Sequence, residues 1–156
     1  MDNSQVINKI SEHLGRDEKG VFFDYFFTIT FGELTIEGSV GHDHYSRIFG
    51  KARELFAIRC IPGFVKDAGR IYFLFTRRAE YDFAKNLFFG DFVKTRVRIE
   101  KLGDSSFTIG GEFFNSADEI CATARHVIVY VDRATGQKGM PEEFKRNLAG
   151  LMVKKN

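Results

Sequence analysis

Tryptophan is absent from the 156 residues, proline and cysteine occur twice each, and basic and acidic side chains nearly cancel at 23 against 21. Each shortage excludes something. Cys60 and Cys121 stand far apart with no CxxC or CxxH neighbour, so they form no disulfide framework and read as reduced packing residues. A formal net charge of +2 is too small to draw the chain to nucleic acid. No run approaches the roughly 18 apolar residues of a membrane span. The polar start Met1-Asp2-Asn3-Ser4-Gln5 also lacks the apolar core of a secretory signal, so no membrane partner and a cytoplasmic location are expected. No Gly-x-Ser-x-Gly elbow, P-loop or dinucleotide fingerprint is present. Covalent serine chemistry is therefore unsupported and no cofactor is expected.

Phenylalanine is what the chain has in excess, with 18 copies. Either it fills the core in place of Leu and Ile, or it also lines a pocket for a long apolar or polyene ligand. The local basic clusters Arg77-Arg78, Arg96/Arg98/Lys101, Lys145-Arg146 and Lys154-Lys155 read as solvated strand faces and helix ends. The alternative is a partner bearing phosphates or an acidic surface.

Length and an uninterrupted composition point to one domain over 1–156. Val6, Ile10, His13 and Leu14 suggest a short helix over 4–15, ended by Gly15, with a turn over 16–20. Val21–Phe31 is β-rich, and a helix follows over 42–58 because Tyr45, Ile48, Phe49, Ala52, Leu55 and Phe56 form one apolar stripe. Ile61-Pro62-Gly63 breaks the chain. Strands are then predicted over 70–82, 93–101, 106–114 and 120–132, and Pro141-Glu142-Glu143 opens a terminal helix. One long helix against five antiparallel strands is α+β.

The segment between the first strand and the helix carries the chemistry. A helix opening at Gly41-His42 aims backbone N–H groups into a loop holding Thr35 and Glu37, an arrangement that stabilises a developing oxyanion beside a held water. His42 and His44 do not share a metal, since side chains two apart on a helix diverge by about 200°. No metal site is expected.

Phe31-Gly32-Glu33-Leu34-Thr35-Ile36-Glu37-Gly38-Ser39-Val40 resembles the strand-to-loop signature of the 4-hydroxybenzoyl-CoA thioesterase-like family. The helix, Ala79-Glu80-Tyr81, Gly90-Asp91 and Val131-Asp132-Arg133-Ala134-Thr135-Gly136 extend the likeness, which covers about residues 21–150 and implies the domain core there. It implies a single hotdog domain, a long central helix wrapped by a five-stranded antiparallel sheet. Where that family has a catalytic Asp, this chain has Thr35. One branch lacks that carboxylate, the enediyne polyketide (polyene-releasing) thioesterases, which place a Tyr ten and an Arg eighteen residues later; Tyr45 and Arg53 stand there, although the branch usually has Asn where this chain has Thr35.

The resemblance implies a thioesterase hydrolysing acyl or polyketide thioesters on an acyl carrier protein or CoA, by direct attack of water. It would release a long unsaturated or β-keto chain. The implied site residues are Arg53, Thr35, Tyr45 and Glu37, with Gly41 and His42 as backbone oxyanion donors and Phe31 and Phe49 against the substrate. Arg53 either polarises the thioester or fixes an oxygen of the acyl chain, with Glu33 or Glu37 as its candidate partner. A homodimer or homotetramer is implied as well, because hotdog sites lie between protomers. Two alternatives stay open: a non-catalytic acyl-thioester-binding module, and a hotdog enoyl-thioester hydratase or dehydratase.

Overall fold

Strand alternation sorts the side chains onto two faces. In the computed structural model, which describes residues 12–153, Val93, Thr95, Val97 and Ile99 are buried while Lys94, Arg96 and Arg98 between them stay partly exposed. The sheet has six strands: β1 (Glu12–Asp17), β2 (Gly20–Thr28), β3 (Tyr72–Phe83), β4 (Phe92–Leu102), β5 (Ser106–Phe114) and β6 (Ile120–Asp132). They pair antiparallel in the order β1-β2-β4-β5-β6-β3. The inner face packs on α1 (His42–Cys60), whose Tyr45, Ile48, Phe49, Ala52, Phe56 and Ala57 are buried. Each of the large ones contributes roughly 1.5–3 kcal/mol by leaving water. Short α2 (Phe64–Asp67) follows the Gly63 turn, where φ is +74°, and α3 (Glu142–Ala149) closes one end with Phe144 and Leu148. Among the described residues no helix is long and apolar enough to cross a membrane.

The α+β architecture is as expected, but the sheet has a sixth strand. Glu12–Asp17 is β1, where a helix over 4–15 was expected; residues 4–11 of that helix lie outside the described residues. Helical spacing of a few apolar residues is a weak signal beside a sheet edge. β1 gains a full register with β2 from Glu12↔Tyr25 to Asp17↔Gly20. Arg98 donates two bonds to Asp17, at 2.8 and 2.7 Å, and Arg59 pairs with Glu12 at 2.8 Å. Gly15 leaves room for the Phe22 ring of the paired strand, which a Cβ there would displace.

One irregularity matters for the site. Thr76 faces Ile128, but Arg78 already faces Val127, so Arg77 is a bulge. Before it Tyr72, Leu74 and Thr76 oppose even-numbered residues of β6; after it Ala79, Tyr81 and Phe83 do. The bulge switches parity and keeps all six on the face toward α1.

Candidate active site

The loop ahead of α1 is held by its own backbone. Thr30 donates through N–H and hydroxyl to the Glu33 carboxylate, at 2.8 and 2.7 Å. Thr35 N–H donates to the Ser39 carbonyl, and Val40 N–H to that of Leu87, at 2.8 and 2.9 Å. Gly41 caps α1 with no side-chain bond. Its own N–H, however, donates to the Glu33 carbonyl at 3.2 Å. Gly41 is therefore not the free oxyanion donor expected of it, because the turn that shapes the loop consumes its amide. Among the described residues no acceptor takes the N–H of His42, and the first-turn dipole favours an anion there.

Thr35 is exposed with its methyl group beside Gly41. Among the described residues its hydroxyl accepts only the N–H of Glu37, at 3.3 Å, while the Glu37 side chain is exposed. Phe31, 75% exposed, stacks on Phe89 with centroids 4.2 Å apart. Tyr45 is 3% exposed and packs edge-on against Phe83 and Phe113. Burial pushes its phenol up to about 12, so it stays a neutral hydroxyl. Phe49 is fully buried. It was expected against substrate and instead supports the polar cluster above it, because it lies in the middle of the apolar stripe.

Arg53 has neither of its expected partners. Glu33 is taken by Thr30 and Glu37 is exposed. The guanidinium Nη1 donates instead to Thr76 Oγ1 and to His126 Nδ1, both at 2.8 Å. His126 Nε2 lies 2.7 Å from Tyr81 Oη, and the Phe49 ring meets the imidazole edge-on with centroids 4.6 Å apart. The cluster joins α1, β3 and β6. Burial first, and the Arg53 charge second, push His126 down to about 4. Burial also lowers Arg53 from its ordinary value, although a guanidinium remains cationic. Sequence reasoning missed His126. Its signal was its place in the alternating row Ala122, Ala124, His126, Ile128, Tyr130, which sets a titratable ring on the buried face.

Beside Arg53 opens an apolar cavity of about 120 Å³, lined by Glu54, Phe56, Ile61, Phe64 and Phe107 among others. It lies below the roughly 300 Å³ of a drug-sized site and admits a segment of chain. A larger groove of about 850 Å³ lies on the opposite face of the sheet, over Arg96, Arg98, Glu100 and Glu112. Its three arginines are each engaged by a carboxylate, Arg96 by Asp24, Arg98 by Asp17 and Arg125 by Glu100, whereas Arg53 on the α1 face is held by Thr76 and His126. On that face Gly41 and Arg53 are twelve residues apart, about 18 Å along the helix axis. Within one chain, then, helix start and guanidinium do not grip the same carbonyl.

Residues 29–148 match the family model described as the thioesterase-like superfamily. The chain belongs to that superfamily, with the hotdog fold, and its chemistry is thioester hydrolysis. Among solved structures it resembles a Staphylococcus aureus protein in complex with CoA, at TM-score 0.76 and 15% identity over 86% of each chain. It also resembles the dynemicin thioesterase, at TM-score 0.75 and 23% identity over 85% of this chain and 98% of that one. A 1,4-dihydroxy-2-naphthoyl-CoA thioesterase from Synechocystis follows at 0.71 and 16%, over 83% and 97%. No curated protein matches the sequence.

Proposed function

We propose that the protein releases a long unsaturated acyl chain from an acyl carrier protein or CoA by direct attack of water on the thioester. The thioester oxygen is received by the His42 N–H, where one good donor is worth about 3 kcal/mol. Thr35 holds the water; the C–S bond breaks as the new C–O bond forms, and the thiol leaves with the proton that the water gives up. Arg53 binds an oxygen of the acyl chain several carbons beyond the thioester, because it stands too far along α1 for the carbonyl itself. The observation that carries the reading is this guanidinium, pinned through one nitrogen and bordering an apolar cavity. Tyr45 supports the start of α1 from beneath. The polyene complex of the dynemicin thioesterase supports an unsaturated chain, and the CoA complex of the Staphylococcus aureus protein supports CoA as carrier.

The long edge of β3 supports a homodimer. It is a terminal strand of the sheet with Phe73 and Phe75 exposed, and such an edge is normally covered. Two dimers stacked would give the homotetramer; sedimentation measures either. The activity test follows thiol release from acyl-CoA and acyl carrier protein thioesters. Arg53→Ala is expected to lower kcat/KM at least tenfold on chains bearing an oxygen beyond the thioester, and much less on plain saturated chains. Tight binding of every thioester with no thiol released would overturn the reading in favour of a binding module.

A further inference from the structure

We propose that His126 is a positioning residue: as the neutral Nε2–H tautomer it accepts one N–H of Arg53 and, with Thr76 and Tyr81 of β3, turns the remaining guanidinium N–H groups toward the acyl chain. The inference rests on Arg53 gripping substrate. A guanidinium has only donors and does not give up its proton. At 2.8 Å from Nη1, Nδ1 must present its lone pair, so the ring proton sits on Nε2 and is donated to Tyr81 Oη at 2.7 Å. Nη1 is thus committed to β6 and to Thr76 of β3. Among the described residues no protein acceptor takes Nε or Nη2.

The surroundings explain why a histidine stands here. From α1 come Arg53 and the edge of Phe49. Tyr81 comes from β3, and β5 faces His126 with Ile109, which does not titrate. Beyond Arg53, Glu54 is exposed. A carboxylate in place of the imidazole would hold Arg53 equally well but would neutralise it. A buried neutral acceptor fixes the direction of the guanidinium and leaves its charge for the ligand. The low proton affinity of His126, about 4, keeps it an acceptor through the physiological range. The Arg77 bulge brings Thr76 and Tyr81 onto one face, and without it the strand would supply only one of the two.

The test uses the full-length protein. Imidazole 15N shifts should report the Nε2–H tautomer from pH 8 to pH 5.5, and in Arg53→Ala the His126 pKa should rise toward 6.5. His126→Leu should lower kcat/KM tenfold or more on the substrates sensitive to Arg53→Ala. The double variant should lose little beyond Arg53→Ala, since residues acting as one unit are non-additive. His126→Asn keeps an acceptor near the Nδ1 position and should recover part of the rate. An Nδ1–H tautomer, losses that add in the double variant, or full activity in His126→Leu would each overturn the proposal. If the tautomer and its coupling to Arg53 hold while wild-type protein cleaves no thioester, the thioesterase reading falls and the contact stands.

Discussion

Acid should weaken this fold through His126 by an amount set by its surroundings. The ring is 4% exposed and bonded to a cation, and its pKa is pushed from 6.5 down to about 4. The unfolded chain therefore binds a proton that the folded one refuses between those two values. Stability rises with pH wherever the unfolded state holds more protons, so it falls as pH drops from about 6.5 toward 4 and levels off below. At about 1.4 kcal/mol per tenfold difference in proton affinity, the full loss is about 3 kcal/mol, with about 2 kcal/mol expressed at pH 5. In a domain of this size that corresponds to about 4–8 °C in Tm. The assay compares the melting of wild type and His126→Leu at pH 8 and pH 5. The variant starts lower, because Arg53 loses an acceptor, but that offset cancels when only the change with pH is compared. Wild type should lose about 2 kcal/mol more than the variant over this range. Equal losses would refute the idea that a buried neutral imidazole touches Arg53.

Three other perturbations probe separate parts of the structure. Gly111→Ala places a methyl group on the Phe49 ring and should cost about 1–3 kcal/mol by overpacking, with a parallel fall in activity because Phe49 supports His126; melting and thiol release measure both. Asp24 is 2% exposed and accepts two bonds from Arg96, at 2.7 and 2.8 Å. Asp24→Ala should therefore cost about 3 kcal/mol in denaturant titration. Thr35→Asp supplies a general base beside the His42 N–H and should raise kcat about a hundredfold if water activation limits turnover; an unchanged kcat would place the water elsewhere.

The α1 stripe, the β4–β5–β6 meander and the terminal helix were legible because their apolar periods are clean and no tertiary contact overrides them. The segment over 12–17 was not, since its strand is made by the hairpin pairing with β2 and by Arg59 and Arg98, which lie remote in sequence. Thr35, Tyr45 and Arg53 stood out by spacing, but spacing does not show which neighbour satisfies an arginine. Glu33 and Glu37 lie in the loop ahead of the helix with the complementary charge, yet Thr30 took the first and solvent the second. His126 lies 73 residues from Arg53. Its place on the buried face of β6 was readable from alternation, whereas its contact with the helix needed the sheet order. The consumption of the Gly41 amide by the Glu33 carbonyl depends on the path of the loop, which no residue pattern reveals.

The extra residue at Arg77 makes chain length, rather than side-chain identity, the heritable variable in this strand. Almost any amino acid would serve at 77, since its job is to occupy a step. Deleting it would rotate everything downstream by half a pleat, delivering Glu80 and Asp82 into the hydrocarbon interior and expelling Tyr81 and Phe83. Descendants of this gene should thus drift freely in the letter at that position while almost never losing the codon.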